Sequence, residues 1–410
     1  MRRVMIVHPH DPGIPHVGGV GTFINTFIKY APSDFEVILA GVSSDPDRRH
    51  LARWQELAVD GRRFQFFPLV ASHPTFHARF PLTLRFVAAL LAKRRFLPSS
   101  RDTLLEFHRI ETELAFRNWP NRRVLFLHTH TKDLYNPKTE VHWKRFPWLY
   151  FRLERNLIRA MDGIYSVRED TIDWYRELYP ELEVPFTFLP TWVDEETFRS
   201  LPEDERRAVR KKLAEAHGLD PSGRFVLFVG RFELQKDPLL LLESFRILSA
   251  KMPDASLILI GGGSMERTLR EFAARHRLEE RVRFIEPQPQ ASVARWMNAA
   301  DCLTLTSAYE GLPRVVIEAM RCGLPPVCVD NGEVSRLIDG PETGKLVPSR
   351  DPEAISDALR DQLSRKPDRP ALREAAREFG AERILSRLFA SYREMNGTHV
   401  REREGEALAS

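Results

Sequence analysis

Two basic residues lie close together in one predicted loop. Arg231 and Lys236 follow the apolar run Phe225–Val229 and precede a predicted helix. A guanidinium fork and a lysine point charge can together neutralise a diphosphate without a metal ion. Two solvated surface cations would show the same spacing, so the pair indicates a diphosphate site only where other features agree with it.

Two acidic residues follow a second apolar run. Glu310, Gly311 and Leu312 come after Cys302–Leu305. Glu318 should lie about one and a half turns into the following helix. A carboxylate among apolar neighbours is costly unless it has hydrogen-bond donors. Ribose hydroxyls would supply them, and so would a donor from the protein itself.

Glycines cluster after two further predicted strands. Gly19 lies in the stretch 18–21, and Gly262 lies within 261–263. Glycine lets the backbone approach a ligand closely, and a helix start offers free N–H groups. Glycines that only turn the chain or pack a strand against a helix are the alternative. The first stretch is not a dinucleotide-binding fingerprint, because Ile24 occupies the third glycine position.

Histidines follow the apolar run Val124–Leu127. His128 and His130 alternate with threonines there. Imidazoles beside hydroxyls suit the binding of sugar hydroxyls or of a phosphate oxygen, and a structural histidine is the alternative. A metal site would need a third ligand nearby, and none is evident, so we expect no metal.

Short apolar runs alternate with helical patterns along the whole chain. Most are four or five residues of Val, Ile, Leu and Phe without alternation, which is typical of parallel strands buried on both faces. The predicted strands are Val4–Val7, Val37–Ala40, Phe64–Phe67, Leu104–Phe107, Val124–Leu127, Gly163–Val167, Phe225–Val229, Ser256–Ile260, Val282–Ile285, Cys302–Leu305 and Pro326–Val329. This βαβ repetition in two blocks predicts an α/β fold of two doubly wound, Rossmann-like domains, with strand-end loops facing across a cleft.

The break between the two blocks falls in the stretch 190–210, which contains proline and a run of acidic residues. We therefore expect an N-terminal domain over residues 1–195 and a C-terminal domain over 196–378. We expect a helix over 379–397 to cross back to the N-terminal domain.

Composition excludes several classes of protein. The 410 residues include 61 Lys and Arg against 57 Asp and Glu, a net charge of +4. So small an excess argues against a nucleic-acid binder. Three cysteines without paired spacing fit a reducing cytosol. No apolar stretch reaches the ~20 residues of a membrane span, so we expect a cytoplasmic protein.

Five motifs in order resemble those of retaining glycosyltransferase family 4, which has the GT-B fold. Glu310 to Glu318 matches the family's Glu-x7-Glu motif. The other four motifs are residues 189–194, 230–238, 259–263 and 323–327. In the first of these, Thr191 and Trp192 replace the family's usual Asn-Gly, and we expect this change to tighten the hinge and alter domain closure. The resemblance covers residues 1–395.

The resemblance implies a role for each candidate residue. Arg231 and Lys236 would bind the donor diphosphate, with Gly19 under the phosphates and Gly262, Gly311 and Leu312 in the donor site. Glu318 would bind the donor ribose, and Glu310 would contact the transferred sugar. His128 would lie near that sugar at the reaction centre, although His130 is an alternative two residues away. Catalysis would depend on His128, Glu310, Arg231 and Lys236, with no cofactor besides the nucleotide sugar.

Positive charge concentrates in residues 79–123, which hold ten basic and four acidic residues. Within this segment Leu84, Val87 and Leu91 share a helical face that ends at Lys93-Arg94-Arg95. An amphipathic basic helix can lie on an anionic membrane, and a core helix with solvated cations is the alternative. The stretch 142–152 also mixes aromatic and basic residues.

These features favour a lipid-linked glycan acceptor. We expect a metal-independent transferase that moves a hexose from a nucleotide sugar to such an acceptor, in envelope or exopolysaccharide synthesis, peripherally on the inner face of the cell membrane. A soluble transferase that forms a small-molecule glycoside and a GT-B nucleotide-sugar epimerase are the alternatives. The sequence does not distinguish UDP, GDP and ADP donors.

Overall fold

The structure, a computed structural model, describes residues 1–13, 19–45, 50–72, 80–128, 147–331 and 334–408. The chain divides into two compact units. The first takes in the N-terminal strand, Val20–Pro190 and the chain from Ala381 onward. The second is Thr191–Gly380, to which Gly19 is also assigned.

The first unit is built on one sheet. Its strands are β1 (Arg2–Val7), β2 (Phe35–Ser43), β3 (Gln55–Val59), β4 (Arg62–Ala71), β5 (Thr103–Phe107), β6 (Arg123–Leu127), β7 (Gly163–Ser166) and β8 (Phe186–Phe188). Their order is β3-β4-β2-β1-β5-β6-β7-β8, and only the β3–β4 pair among them is antiparallel. The chain therefore reverses its direction of sheet growth between β1 and β5, which pair from Arg3 with Thr103 to Val7 with Phe107.

Helices cover this sheet. They are α1 (Gly19–Lys29), α2 (Leu82–Lys93), α3 (Pro147–Ile158), α4 (Glu169–Leu178) and the C-terminal α12 (Ala381–Leu408). A 3₁₀ segment, Ile110–Phe116, lies between β5 and β6 and packs against both α2 and α3. Buried side chains such as Met5, Phe86 and Leu105 form the core between the sheet and these helices.

The second unit repeats the plan with a smaller sheet. Its strands are β9 (Arg224–Val229), β10 (Ala255–Ile260), β11 (Val282–Ile285), β12 (Cys302–Leu305), β13 (Pro326–Val329) and β14 (Lys345–Val347), in the order β11-β10-β9-β12-β13-β14. Its helices are α5 (Glu203–His217), α6 (Pro238–Lys251), α7 (Glu266–Arg275), α8 (Gln290–Ala299), α9 (Arg314–Arg321), α10 (Pro352–Leu363) and α11 (Arg369–Ala375). All the paired strands are parallel, and the direction of growth reverses between β9 and β12.

The expected α/β fold with two Rossmann-like domains is confirmed, and the predicted strands lie within observed ones except that Gly163–Val167 runs one residue past β7. The sequence missed three strands. In β3 and β8 exposed and half-buried residues alternate, and β14 has only three residues. None is a continuous apolar run, so the pattern of a strand buried on both faces could not find them.

The residues at the ends of α6 and α9 are of the types that favour helix starts and stops. Asp237 caps α6, accepting from the Leu240 N–H, and Pro238 is its first residue, the arrangement that aspartate and proline favour at a helix start. Gly323 lies just beyond α9 with φ +72°, the left-handed conformation expected of a helix stop. The cap of α9 is Pro313 itself, one position earlier than a first-turn proline.

The C-terminal helix α12 belongs to the first unit although it follows the second in the chain. The Phe389 ring lies 4.8 Å from Phe27 and 4.9 Å from Phe35, centroid to centroid. Arg393 donates two hydrogen bonds of 2.9 Å to the carboxylate of Asp34. Phe389 and its two aromatic partners are buried, so α12 completes the core of the first unit.

Replacement of Phe389 by alanine tests this packing. Phe389→Ala should lower the free energy of unfolding of the first unit by about 3–5 kcal/mol, since it leaves a large cavity. Arg387→Ala, an exposed position on the same helix, should change it by less than about 0.5 kcal/mol. Urea denaturation followed by tryptophan fluorescence measures both, and equal midpoints for the two variants would contradict the packing.

Candidate functional site

The predicted diphosphate residues lie where the second sheet reverses direction. The loop 230–237 follows β9, and the loop 306–313 follows β12, the strand paired with β9. In open α/β sheets, ligands bind outside the carboxyl ends of the strands at such a reversal. The structure thus brings Arg231, Lys236 and Glu310 to the edge where a ligand is expected.

Ion pairs and hydrogen bonds organise these three side chains. Lys236 donates from Nζ to Oε1 of Glu310, and both side chains are largely buried. Arg231 donates from Nη2 to Oε1 of Gln235 at 2.9 Å. Lys236, which was predicted to bind a diphosphate, is therefore already paired with the Glu310 carboxylate.

Further bonds tie the two loops together. Gln235 accepts from the Ala308 N–H at 2.8 Å through its carbonyl, and its side-chain amide donates to the Tyr309 carbonyl at 3.2 Å. Thr306 donates to the Asp237 carbonyl at 2.8 Å. Arg350 donates to the Asp237 carboxylate at 2.5 Å. The site residues are thus held by a connected set of short-range bonds.

The glycines that follow β10 lie against the loop that follows β9. A Cβ on Gly261 would meet the Gly230 carbonyl oxygen at 1.9 Å, and one on Gly263 would meet that of Phe232 at 2.6 Å. These two glycines are required because neighbouring loops pack on them. A Cβ on Gly262 would meet only Pro287, at 3.8 Å. The predicted donor-site glycine is therefore the one that packing does not explain.

Glu318 has a protein partner. Arg314, one turn earlier in α9, donates from Nε to Oε1 of Glu318 at 3.3 Å, and both residues are buried. Burial raises the pKa of Glu318, while the Arg314 charge opposes that rise. The intramolecular alternative considered for this carboxylate is thus present, and a ribose would share Glu318 with Arg314. Gly311 and Leu312 lie between Glu310 and α9, with Leu312 buried.

The remaining predicted residues are Gly19, which begins α1 but is assigned to the second unit, His128 of the first unit, and residues outside the described ranges. Gly19 begins α1, and a Cβ there would have no heavy atom within 4 Å. His128 directly follows β6 and is partly exposed. His130 lies outside the described residues, as do residues 142–146 of the aromatic and basic stretch. The comparison of His128 with His130 therefore stays open.

The sequence did not single out Glu106 and His108. Both are buried on β5 or directly after it, and His108 bonds to Glu106 and to His128. A glutamate inside an apolar run (Leu104-Leu105-Glu106-Phe107) was the available signal, by the same reasoning that was applied to Glu318.

A cavity of about 630 Å³ lies elsewhere on the second unit. Its lining includes Arg199, Arg321, Arg373 and Arg377. Arg321 is the last residue of α9, whereas the loop holding Glu310 precedes that helix. This cavity is therefore separate from the candidate donor site.

Searches for two other features found nothing in the parts of the chain described. Those residues include no group of three His, Cys, Asp or Glu side chains arranged to hold a metal ion. Among the same residues, no helix combines the length and apolar character needed to cross a membrane.

Comparison with known proteins places this geometry in context. Residues 209–379, within the second unit, match the family "Glycosyl transferases group 1". D-inositol 3-phosphate glycosyltransferase of Jonesia denitrificans is 32% identical over 43% of this chain and 42% of its own length. The lipopolysaccharide core biosynthesis mannosyltransferase LpsB of Rhizobium meliloti is 30% identical over 54% of this chain and 60% of its own length. The chain thus matches about half the length of these curated relatives.

Solved structures resemble the whole chain. Sucrose-phosphate synthase of Thermosynechococcus elongatus has a TM-score of 0.78 at 18% identity, covering 97% of this chain and all of that one. Anabaena HepE, in complex with UDP-glucose, has a TM-score of 0.70 at 16% identity, covering 96% of this chain and all of that one. At this identity the likeness concerns the fold. The chain therefore has the two-domain GT-B fold of glycosyltransferases, and its residues 209–379 match the glycosyl transferases group 1 family.

Proposed function

We propose that the chain is a retaining, metal-independent glycosyltransferase that moves a hexose from a nucleotide sugar to a lipid-linked glycan acceptor. The observation that carries the proposal is the grouping of Arg231, Lys236 and Glu310 where the second sheet reverses direction. The family match over residues 209–379 supports it.

On binding, the donor diphosphate would replace Glu310 as the partner of Lys236. An ammonium group that already lies against one carboxylate can turn to a more highly charged diphosphate, with Arg231 as the second cation. The start of α9 adds backbone N–H groups directed at an anion. Once they hold the diphosphate, these groups would stabilise the charge that develops on it as it leaves. The proposal therefore uses protein cations for that role.

The transfer step follows from this charge distribution. The bond between the sugar C1 and the phosphate oxygen breaks, and its electrons leave with the diphosphate. The acceptor hydroxyl attacks C1 from the same face and gives its proton to the leaving phosphate oxygen, so the configuration at C1 is retained. Glu310, released from Lys236, would hold a hydroxyl of the transferred sugar, and Glu318 would bind the ribose beside Arg314. We place Gly19 under the phosphates and His128 near the sugar.

An exposed apolar face on α2 favours a lipid-linked acceptor. Leu84 and Leu91 are 56% and 46% exposed, two turns apart, while Phe86 and Leu90 supply the buried side of the helix. The face predicted to lie on a membrane is therefore the side of α2 turned away from the core. Peripheral association with the inner face of the membrane and a role in envelope or exopolysaccharide synthesis are part of this proposal.

The basic residues after this face have structural contacts that the sequence did not reveal. Lys93 donates to the Leu69 carbonyl at 3.4 Å, and Arg94 to that of Ala115 at 3.2 Å. Arg95 lies over the Phe96 ring, 4.8 Å from its centroid. Reversal of all three charges would disturb these contacts, so the leucines make a cleaner test of membrane binding.

A soluble transferase is the second candidate. The likeness to D-inositol 3-phosphate glycosyltransferase favours it, since that name describes transfer to a small phosphorylated acceptor. Incubation of the protein with UDP-, GDP- and ADP-sugars, together with either a lipid extract or soluble polyols, separates the two. Transfer to lipid supports the first candidate, and transfer only to the soluble acceptor supports the second.

Removal of either donor-site cation should weaken nucleoside diphosphate binding. Arg231→Ala and Lys236→Ala should each cost about 1.5–3 kcal/mol, the range for hydrogen bonds to charged groups. Isothermal titration calorimetry with UDP, GDP and ADP measures this. Lys251→Ala is the control, because that ammonium pairs with Glu353 and Asp357 at the other end of α6. Wild-type affinity in both site variants would contradict the diphosphate assignment.

Neutralisation of Glu310 should separate binding from transfer. Glu310→Gln removes the carboxylate that competes for Lys236, so nucleoside diphosphate affinity should stay equal or rise. Loss of a charged hydrogen-bond acceptor for the sugar should lower the transfer rate about 10–150-fold. Calorimetry and initial rates measure the two effects. A large loss of diphosphate affinity with an unchanged rate would be the opposite of this expectation.

Charge on the exposed face of α2 should prevent membrane binding. The double variant Leu84→Glu/Leu91→Glu should lose sedimentation with vesicles of phosphatidylglycerol and phosphatidylcholine, because the apolar face can no longer enter the interface. Leu51→Glu, at an exposed leucine outside α2, should sediment as the wild type does, and nucleoside diphosphate affinity should be unchanged in all variants. Wild-type protein that stays in the supernatant at low salt would exclude this surface as a membrane site.

A further inference from the structure

A buried chain of four polar side chains crosses the first unit. The Tyr392 hydroxyl of α12 donates to Oε2 of Glu106 at 2.7 Å. Oε1 of Glu106 lies 3.0 Å from Nε2 of His108. Nδ1 of His108 lies 2.7 Å from Nε2 of His128. Each distance is that of a hydrogen bond, so the chain is continuous from α12 to the histidine after β6.

The chain lies at the reversal point of the first sheet. Glu106 and His108 are two residues apart along β5 and its extension, so their side chains share one face. β5 pairs with β1 on one side and β6 on the other. This is the edge where an open α/β sheet binds its ligand, and His128 is the member of the chain that is partly exposed there.

Aromatic packing isolates the chain from water. The His108 ring stacks on Phe126 at 5.2 Å and meets the edge of Phe23 at 5.6 Å, centroid to centroid. The side chains of Glu106 and His108 are fully buried. A buried carboxylate and imidazole in a dry core cost stability unless they bond fully to one another. Packing alone therefore does not explain why Glu106 and His108 occupy these buried positions.

The proton on Glu106 sets the tautomer of His108 and, through it, that of a neutral His128. When Glu106 is ionised, His108 donates from Nε2 and must accept at Nδ1, so His128 carries its proton on Nε2. When Glu106 is protonated, it donates to Nε2 of His108, which then donates from Nδ1 to Nε2 of His128. His128 then carries its own proton on Nδ1. The Tyr392 hydroxyl donates to Oε2 in both arrangements, so it does not oppose the change.

We propose that Glu106 and His108 are positioning residues that select the tautomer of His128 through this hydrogen-bond chain. For transfer this rests on the function proposed above, in which His128 lies near the sugar. With Glu106 protonated, Nδ1–H of His128 donates to a sugar hydroxyl oxygen. With Glu106 ionised, Nδ1 accepts instead. A proton taken up at Nδ1 of His128 can pass along the chain to Glu106, each ring giving one proton as it receives one.

Burial places the change near neutral pH. Desolvation raises the pKa of Glu106 to about 8, against the Tyr392 hydrogen bond, and lowers that of His108 to about 3. His108 thus stays neutral and transmits the tautomer without holding charge. Below pH 8 Glu106 is protonated and His128 is a donor at Nδ1, and above pH 8 the arrangement reverses.

Other titratable groups surround the chain. His8 of β1's extension meets the His108 ring at 5.6 Å, and burial lowers the pKa of His8, as do the nearby charges of Arg109 and His10. Tyr165 of β7 lies next to Tyr392, with their centroids 6.3 Å apart, and burial raises the pKa of both phenols. None of these has a pKa moved toward 8, so Glu106 is the group that should titrate there.

Nitrogen NMR of protein labelled with ¹⁵N-histidine tests the proposal directly. His128 is assigned from the signal lost in His128→Gln. In the wild type its proton should move from Nδ1 at pH 7 to Nε2 at pH 9.5. In Glu106→Gln the amide can donate to His108 and accept from Tyr392 as the protonated acid does, so Nδ1–H should persist at both pH values. A wild-type tautomer that does not change, or changes equally in Glu106→Gln, overturns the proposal.

Glu154→Gln is the matched control. Glu154 is a buried carboxylate of the first unit that accepts hydrogen bonds from Tyr150, Tyr175 and Tyr179 at 2.6–3.0 Å. It bonds to no member of the chain that leads to His128, so its variant should keep the wild-type dependence of the His128 tautomer on pH. If Glu154→Gln altered the pH dependence of the His128 tautomer as Glu106→Gln does, the cause would be the general loss of a buried carboxylate. That result would overturn the proposal.

Kinetics separates this inference from the proposed function. Glu106→Gln should keep the wild-type kcat at pH 7 and lose the change of kcat centred near pH 8. His108→Phe keeps an aromatic ring against Phe126 and breaks the chain, so kcat should fall at least about tenfold at pH 7 with the KM for donor unchanged. Full activity in His128→Gln would refute the catalytic placement of His128 while leaving the NMR result intact. An inactive His128→Gln with normal His108→Phe kinetics would refute the inference alone.

Discussion

The hydrogen bonds between the loops after β9 and β12 are the constraint on which the second unit's site depends. Asp237 is central among them, because it caps α6, binds Arg350 and accepts from Thr306 through its carbonyl. The backbone of the first loop is thereby fixed at the edge of the sheet. Lys236 and Arg231 stand on that fixed backbone, so their positions need little further ordering when an anion arrives. Preorganised charge of this kind stabilises developing negative charge most effectively.

The two units handle charge in different ways. In the second unit, Lys236 and Glu310 compensate each other, and Arg314 and Glu318 do the same inside α9. In the function proposed above, a ligand would replace Glu310 beside Lys236 and would share Glu318 with Arg314. In the first unit, the buried Glu106 and His108 bond to each other, to Tyr392 and to His128, and neutrality is reached by moving a proton. One unit is thus suited to binding an anion, and the other to directing a hydrogen bond.

Much of the fold followed from the sequence, because strands buried on both faces are short, apolar and lack alternation. Asp237 and Pro238 also mark the start of α6, since aspartate favours the cap of a helix and proline its first residue. The edge strands β3, β8 and β14 escaped notice since solvent or half-burial interrupts their apolar pattern. The reversal of sheet order, which places the loops of β9 and β12 side by side, depends on strand pairing and could not be read from either loop alone.

The sequence indicated site residues where a carboxylate lies among apolar neighbours, since burying such a group is costly without hydrogen-bond partners. Glu318 stood out as a carboxylate in an apolar helix, and Glu106 offered the same signal within β5. Partners were the part that remained hidden. Arg314 lies one turn from Glu318, so helical spacing alone could have found it, whereas Tyr392 lies 286 positions from Glu106. Long-range partners of this kind are decided by how helices dock, which a single sequence does not reveal.

The return of α12 to the first unit has a consequence for how the protein is made. Phe27 and Phe35 are synthesised early, but the ring that covers them, Phe389, leaves the ribosome only after the whole second unit. At about 5–20 residues per second, that interval is on the order of ten seconds or more. The first unit therefore waits with an open apolar surface while the second, whose stretch Thr191–Gly380 is continuous in sequence, can fold first. Order of synthesis and order of completion are reversed, and nascent chains of this protein should depend on chaperones that shield the N-terminal half.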